Sequence, residues 1–390
     1  MNTIFTLICL LLVSFLLILV LAFAITILTH QGRGYLRTIG LIFQIIPDSP
    51  IRPLEWITKS PTREIVSFPG TKKGEIAHIY RTVDSTNRPA ILLFLGINPA
   101  GLNDSRVVNL SESLARSGLV VMVARSENMT DYKIDPNAVG NIIKAFQYLY
   151  DLEYTDQRKI GMGGFCVGAS LSAIAAQDFQ IRDKVSFLNL FGAYADARNL
   201  MSAVASRTRF YENNVRPWSP SEQAWLTFRN HLIDSVEHKS DRVILEKHHF
   251  SPEPTKSEND DTPTLISEEA IIVHQILEGV TLEQSVRLLD NMPNKFLMDL
   301  DRISPIHNIE NLKANVLIMH DSNDTNIPAD ESRRLANAIQ VNGQVYYTEF
   351  SIFDHMDPTR SVGQFTWAKE VMQLFLHLNR LLKIAKQPSC

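Results

Sequence analysis

Lys159-Ile160-Gly161-Met162-Gly163-Gly164-Phe165-Cys166-Val167-Gly168-Ala169-Ser170-Leu171 is the stretch that decides the fold. Lys159 to Gly163 reads as a short strand and Val167 to Ala176 as a helix, with Gly164-Phe165-Cys166-Val167-Gly168 as the turn between them. A side chain presented at so sharp a strand-to-helix turn sits on strained backbone. Its flanking positions must be glycine, because a Cβ there would collide with the strand or the helix. The chain has 3 cysteines, and the other two do not compete for a chemical role. Cys9 lies in an apolar run and Cys390 is the last residue, so no disulfide framework is indicated and Cys166 is left as a single reactive thiol.

Outward from this turn, β-rich runs alternate with amphipathic helices, the pattern of a mostly parallel sheet covered on both faces. Upstream lie an antiparallel pair (Glu64 to Phe68, Glu75 to Thr82), the apolar strand Ala90 to Leu95, a helix from Ser105, the strand Leu119 to Ala124 and a helix from Pro136 to Tyr150. Downstream comes the strand Val185 to Leu190, and the alternation then stops. From Asp196 to Ile306 helices are expected and no strand, with Thr281-Leu282-Glu283-Gln284 as a capping box. The rhythm resumes with the strand Val316 to His320, a helix from Ala329, the strand Val345 to Phe350 and a final helix from Phe365. The expected organisation is therefore an α/β core over 64–195 and 307–390, with 196–306 inserted as a helical cap.

Two further residues complete a chemical set. Asp324 lies four positions beyond the strand that ends at His320, and His355 lies in the loop after the last strand, in Phe353-Asp354-His355-Met356-Asp357-Pro358. Parallel strands deliver both side chains to the sheet edge that carries Cys166. The order nucleophile, acid, base is that of a catalytic triad. Asp196, after the sixth strand, is the main rival for the acid.

From Glu64 onward the chain resembles the α/β-hydrolase superfamily, and its cysteine turn is similar to that of the dienelactone hydrolase group. His320 through Pro328 looks like that family's His-Gly-x-x-Asp-x-x-Val-Pro segment, with Asp321 where glycine is usual. Leu95-Gly96 stands where His-Gly usually ends the third strand. The resemblance implies an α/β-hydrolase fold and a Cys166-His355-Asp324 triad, and does not extend to a dienelactone substrate. In such a site His355 takes the thiol proton or holds a Cys166 thiolate–imidazolium pair, Asp324 fixes the imidazole tautomer, and the N–H groups of Val167 and Ile97 form the oxyanion hole. The helix beginning at Val167 is expected to favour the thiolate.

The remaining features bound the function. A formal net charge of −4 gives no basic footprint, so no nucleic-acid partner is expected. No phosphate-cradling glycine motif and no cofactor are indicated. No metal site is expected either, since His248-His249 is an adjacent pair and neighbours on a helix do not face one ligand. Ile4 to Leu28 carries no charged residue and, at about 1.5 Å per residue, is long enough as a helix to cross a bilayer of about 30 Å. Residues 1–30 are thus read as an uncleaved single-pass membrane anchor and 31–63 as an interfacial connector. Arg33, Arg37, Arg52, Lys59 and Arg63 follow the apolar run, which places the following domain on the cytoplasmic side. The function expected is hydrolysis of a small-molecule acyl substrate: a carboxylic ester, lactone or thioester. The alternatives are an acyltransferase of the polyester-synthase type and a non-catalytic membrane scaffold.

Overall fold

A computed structural model describes residues 13–18, 21, 24, 29–46, 49–68, 76–83, 86–250, 264–353 and 362–386. In chain order the described elements begin with α1 (His30–Ile45), α2 (Pro53–Ile57), β1 (Thr62–Val66), β2 (Ala77–Arg81), β3 (Arg88–Phe94), α3 (Ser105–Arg116) and β4 (Val120–Ala124). They continue with α4 (Ala138–Tyr150), β5 (Thr155–Phe165), α5 (Val167–Ala175) and β6 (Phe187–Phe191). After an insertion come β9 (Asn315–Asp321), α12 (Ala329–Asn342), β10 (Val345–Phe350) and α13 (Gln364–Ile384).

The strands form one sheet in the order β1-β2-β4-β3-β5-β6-β9-β10, antiparallel only where β2 meets β1 and β4. Both faces are covered, as the continuous apolar runs require. Strand alternation divides β3 cleanly. Ile91 and Leu93 face a cluster with Leu41, Val107, Leu114, Leu374 and Leu378, whereas Leu92 and Phe94 face one with Ile142, Phe146, Leu171 and Leu335. The expected mostly parallel sheet with flanking helices is therefore the architecture observed. Because β3, β5, β6, β9 and β10 run the same way, their C-terminal ends share one edge.

Two expectations need revision. The insertion opens with the helix α6 (Ala197–Ser206) and then contains a strand pair, β7 (Thr208–Tyr211) and β8 (Asn214–Pro217), before the helices α7 (Glu222–Ser235), α8 (Lys239–Phe250), α9 (Glu268–Leu277), α10 (Leu282–Asp290) and α11 (Asn294–Arg302) take it up. The pair is four residues a side, and β8 is exposed throughout, so it shows none of the apolar alternation that marks a strand in sequence. The segment 31–63, expected as a connector, instead joins the core: Leu41 and Leu54 are fully buried, and Tyr35 packs on Phe375 of α13 at 5.9 Å.

Most of the apolar run read as an anchor lies outside the described residues. Among the described residues no helix is long and apolar enough to cross a membrane.

Candidate active site

Cys166 sits where β5 gives way to α5, as the N-cap residue of that helix, with φ 55° and ψ −131°. A non-glycine residue at such a φ is uncommon and needs its surroundings to hold it. Here the Cys166 N–H donates to the carbonyl of Phe191 at the end of β6, at 2.8 Å, which ties the turn to the neighbouring strand. The glycines serve close approach. A Cβ on Gly168 would lie 2.4 Å from the Phe94 carbonyl oxygen and 2.7 Å from the Gly96 nitrogen. One on Gly164 would lie 2.7 Å from the backbone of both Gly168 and Phe94, and one on Gly96 would lie 2.5 Å from the Phe165 carbonyl. The turn and the loop after β3 are thus packed backbone to backbone.

Asp324 lies on the adjacent loop, buried, and its Oδ1 accepts the N–H groups of Asn326 at 2.6 Å and Ile327 at 3.2 Å. Gly192 lies between Asp324 and the cysteine turn: a Cβ there would be 3.5 Å from Asp324 Oδ2 and 3.9 Å from the Cys166 nitrogen. The rival acid is otherwise engaged. Asp196 caps α6 through the N–H groups of Arg198 and Asn199. His355, with Asp354 and Asp357, lies outside the described residues. The last described residue before it, Phe353, packs edge-on against Phe191 at 5.4 Å and Phe350 at 5.2 Å.

Of the two backbone donors expected for an oxyanion, the Val167 N–H meets the Cys166 side chain, and Ile97 shares the cavity lining with Cys166. Val167 opens α5, and its N–H is directed at the Cys166 side chain. Ile97 follows Gly96, which packs directly on Cys166, and among the described residues its N–H meets no backbone carbonyl. Asn98 and Asp104 brace the loop: Asn98 Oδ1 accepts the Ala100 N–H, and Asn98 Nδ2 donates to Asp104 Oδ2.

The electrostatics differ from expectation. Burial, then the negative charge of Asp324, push the Cys166 thiol up to about 12, against a lowering from the Val167 N–H. The helix terminus therefore does not by itself yield a thiolate. Cys166 is only 6% exposed, so burial disfavours the charged thiolate.

Several supporting residues carried no signal in the sequence. Trp218 Nε1 donates to the Asp324 carbonyl at 2.8 Å, and Gln223 Nε2 donates to the Ile97 carbonyl at 3.1 Å, so the insertion holds both sides of the site. Glu370 of α13 accepts the N–H groups of Ser351 and Ile352 at 2.7 and 2.9 Å, fixing the chain that leaves β10. His320 is fully buried against Ser332 and the Ile327 carbonyl, with Nε2 3.6 Å from Asp324 Oδ2. The contacts of Trp218, Gln223 and Glu370 do not follow from residue type or spacing and are made by tertiary packing, whereas His320 belongs to the segment already read in the sequence.

A cavity of about 380 Å³ opens beside Cys166 and runs along the sheet face covered by α1, α3 and α13. Its walls are mainly apolar, with Leu41, Leu93, Leu110, Phe353 and Leu378 among them. Among the described residues no lining residue comes from the insertion 196–306; α1, α3 and α13 supply the walls with the sheet.

No family model matches the chain, and no curated protein matches it. Solved structures do. A puromycin-hydrolyzing peptidase of Mycobacterium tuberculosis aligns at 13% identity with TM-score 0.52, over 88% of this chain and 41% of that one. Uncomplexed Pyrococcus horikoshii acylaminoacyl peptidase aligns at 14% identity with TM-score 0.49, over 82% of this chain and 42% of that one. A Pyrobaculum calidifontis esterase aligns at 14% identity with TM-score 0.48, over 90% of each chain. The chain spans about two fifths of the length of the peptidases it matches. With the strand order and the turn at Cys166, the first likeness establishes an α/β-hydrolase fold.

Proposed function

We propose, on this α/β-hydrolase fold, that the chain is an acyl hydrolase whose nucleophile is Cys166, acting with His355 and Asp324 on an ester, lactone or thioester with an apolar acyl chain. The observation that carries the reading is the placement of Cys166 on strained backbone at the mouth of an apolar cavity, with Asp324 behind it across Gly192. The sequence order supports His355 as the base, since it follows the acid Asp324 in the loop after the last strand.

In the reaction, His355 takes the Cys166 proton as sulfur attacks the acyl carbon. The carbonyl π electrons move onto oxygen, where the Val167 and Ile97 N–H groups receive the charge. Collapse expels the alcohol or thiol, protonated by His355, and leaves an acyl thioester. Water then repeats the sequence, with His355 as base, and releases the acid.

The cavity defines the first test. Pockets of this size hold small ligands, and a methylene in an apolar pocket is worth about 1–3 kcal/mol of discrimination. Across p-nitrophenyl esters and acyl-CoA thioesters of increasing chain length, kcat/KM should rise from acetyl to medium chains. Leu110→Trp, which fills the cavity, should lower medium-chain kcat/KM by about tenfold and spare acetyl substrates. A length profile unchanged by that substitution would remove the cavity from the acyl site.

We also propose that the apolar run from Ile4 to Leu28 anchors the chain and leaves the hydrolase domain on the cytoplasmic side. In support, Phe15, Leu16, Leu17 and Ile18 are exposed at 61–64%, and Trp56 is exposed at 73%. Full-length chain should stay with membranes after alkaline carbonate washing, and a chain lacking residues 1–28 should not. Release of the full-length chain by carbonate would contradict the anchor.

A further inference from the structure

Far from Cys166 in sequence, the end of α8 and the end of α9 bring together His248, His249, His274 and Glu278. One ligand-capable atom from each lies within 4.8 Å of all the others. The closest pairs are His274 Nδ1 to His249 Nε2 at 3.3 Å and His248 Nε2 to Glu278 Oε1 at 3.5 Å, with His274 Nδ1 to Glu278 Oε1 at 4.0 Å. A tetrahedral zinc ion with bonds of about 2.1 Å sets its ligand atoms about 3.4 Å apart. Two opposite edges of that tetrahedron are therefore already at the required length.

We infer that these four residues form a binding site for a divalent first-row transition ion, zinc above all, which staples α8 to α9 within the insertion. Three imidazoles and one carboxylate are the donor set such an ion takes, whereas magnesium and calcium require oxygen ligands. The geometry arises in steps. His274 and Glu278 are four apart and share one face of α9. His248 and His249 occupy the last turn of α8, where their rings stand nearly perpendicular with centroids 4.8 Å apart. The exclusion drawn from sequence assumed that adjacent helical residues diverge. The His274 ring meets both, at 5.3 and 5.5 Å between centroids, so the partner helix supplies what the pair alone lacks.

Packing alone explains this cluster poorly. His248 and Glu278 are 39% and 56% exposed at their side chains, so they bury little surface by converging, and an ion can reach them from solvent. The Arg229 guanidinium is nearby and donates to the His249 carbonyl at 2.9 Å, an end-of-helix contact that leaves the imidazole of His249 to face the cluster.

The test uses the untagged full-length chain in detergent, stripped with chelator and titrated with zinc by calorimetry, with bound metal counted by elemental analysis. One zinc per chain at micromolar affinity or tighter is expected, with a rise of several degrees in Tm. Glu278→Gln and His248→Ala, both at exposed positions that cannot unfold the insertion, should each weaken binding by at least the roughly 10–100-fold that loss of an outer-shell partner causes. His249→Ala combined with His274→Ala should abolish it. No binding, or binding untouched by Glu278→Gln and His248→Ala, would overturn the site.

Discussion

Cys166→Ala should reduce kcat on the best ester or thioester by on the order of 10³-fold or more, equivalent to about 4 kcal/mol of barrier. The substitution removes only a sulfur from a site that is otherwise intact, so the folded state and its Tm should change little. Asp324→Asn and His355→Ala should each be damaging, and neither should add to Cys166→Ala, because the three act as one unit. The pH behaviour separates this account from a resting ion pair. With burial and Asp324 holding the thiol up to about 12, alkylation by iodoacetamide should be slow at pH 7 and climb with pH. His355→Ala should slow it further. Rapid alkylation below neutral pH would mean that imidazole and thiol exchange their proton before substrate arrives.

Gly168→Ala should destabilise the whole domain by about 3 kcal/mol or more. Inserting a methyl group into a packed core commonly costs about 1–3 kcal/mol, when side chains can shift to receive it. Here the atoms in the way are the Phe94 carbonyl oxygen at 2.4 Å, the Leu95 carbonyl carbon at 2.6 Å and the Gly96 nitrogen at 2.7 Å, all backbone. They belong to the last residue of β3, a central strand paired on both sides, and the two residues after it, so relief would have to come from moving β3 or α5. Against a typical stability of about 5–15 kcal/mol, that loss is visible as a large drop in the denaturant midpoint. By contrast Gly140→Ala, where a Cβ meets nothing within 4 Å, should be close to neutral. Equal midpoints for the two variants would show that the tight turn is not the constraint argued for it.

The sheet was largely legible because its central strands are buried on both faces. Ala90 to Leu95 and Leu119 to Ala124 leave no alternation to misread, and β3 and β4 occupy nearly those spans. The turn at Cys166 was legible because close backbone approach admits only glycine at Gly164 and Gly168. What could not be read depends on distance in sequence. Gln223 reaches Ile97, Trp218 reaches Asp324, and Glu370 holds the end of β10, with no local pattern marking any of the three. The wall of the cavity beside Cys166 was not legible for the same reason: α1, read as part of a connector, supplies Leu41 and Ile45 to it. The helix terminus and His355 were expected to favour the thiolate; burial of Cys166 acts in the opposite direction, and it is invisible until the packing is known.

The central claim is that the acyl group passes through the Cys166 sulfur, and intact-mass analysis of the protein during turnover tests it most directly. Rapid acid quenching after mixing with a medium-chain p-nitrophenyl ester should trap an adduct of the acyl mass, mapped by proteolysis to the peptide that carries Cys166 and absent from Cys166→Ala. Turnover with no adduct on that peptide, sustained in Cys166→Ala at the same rate, would contradict the account.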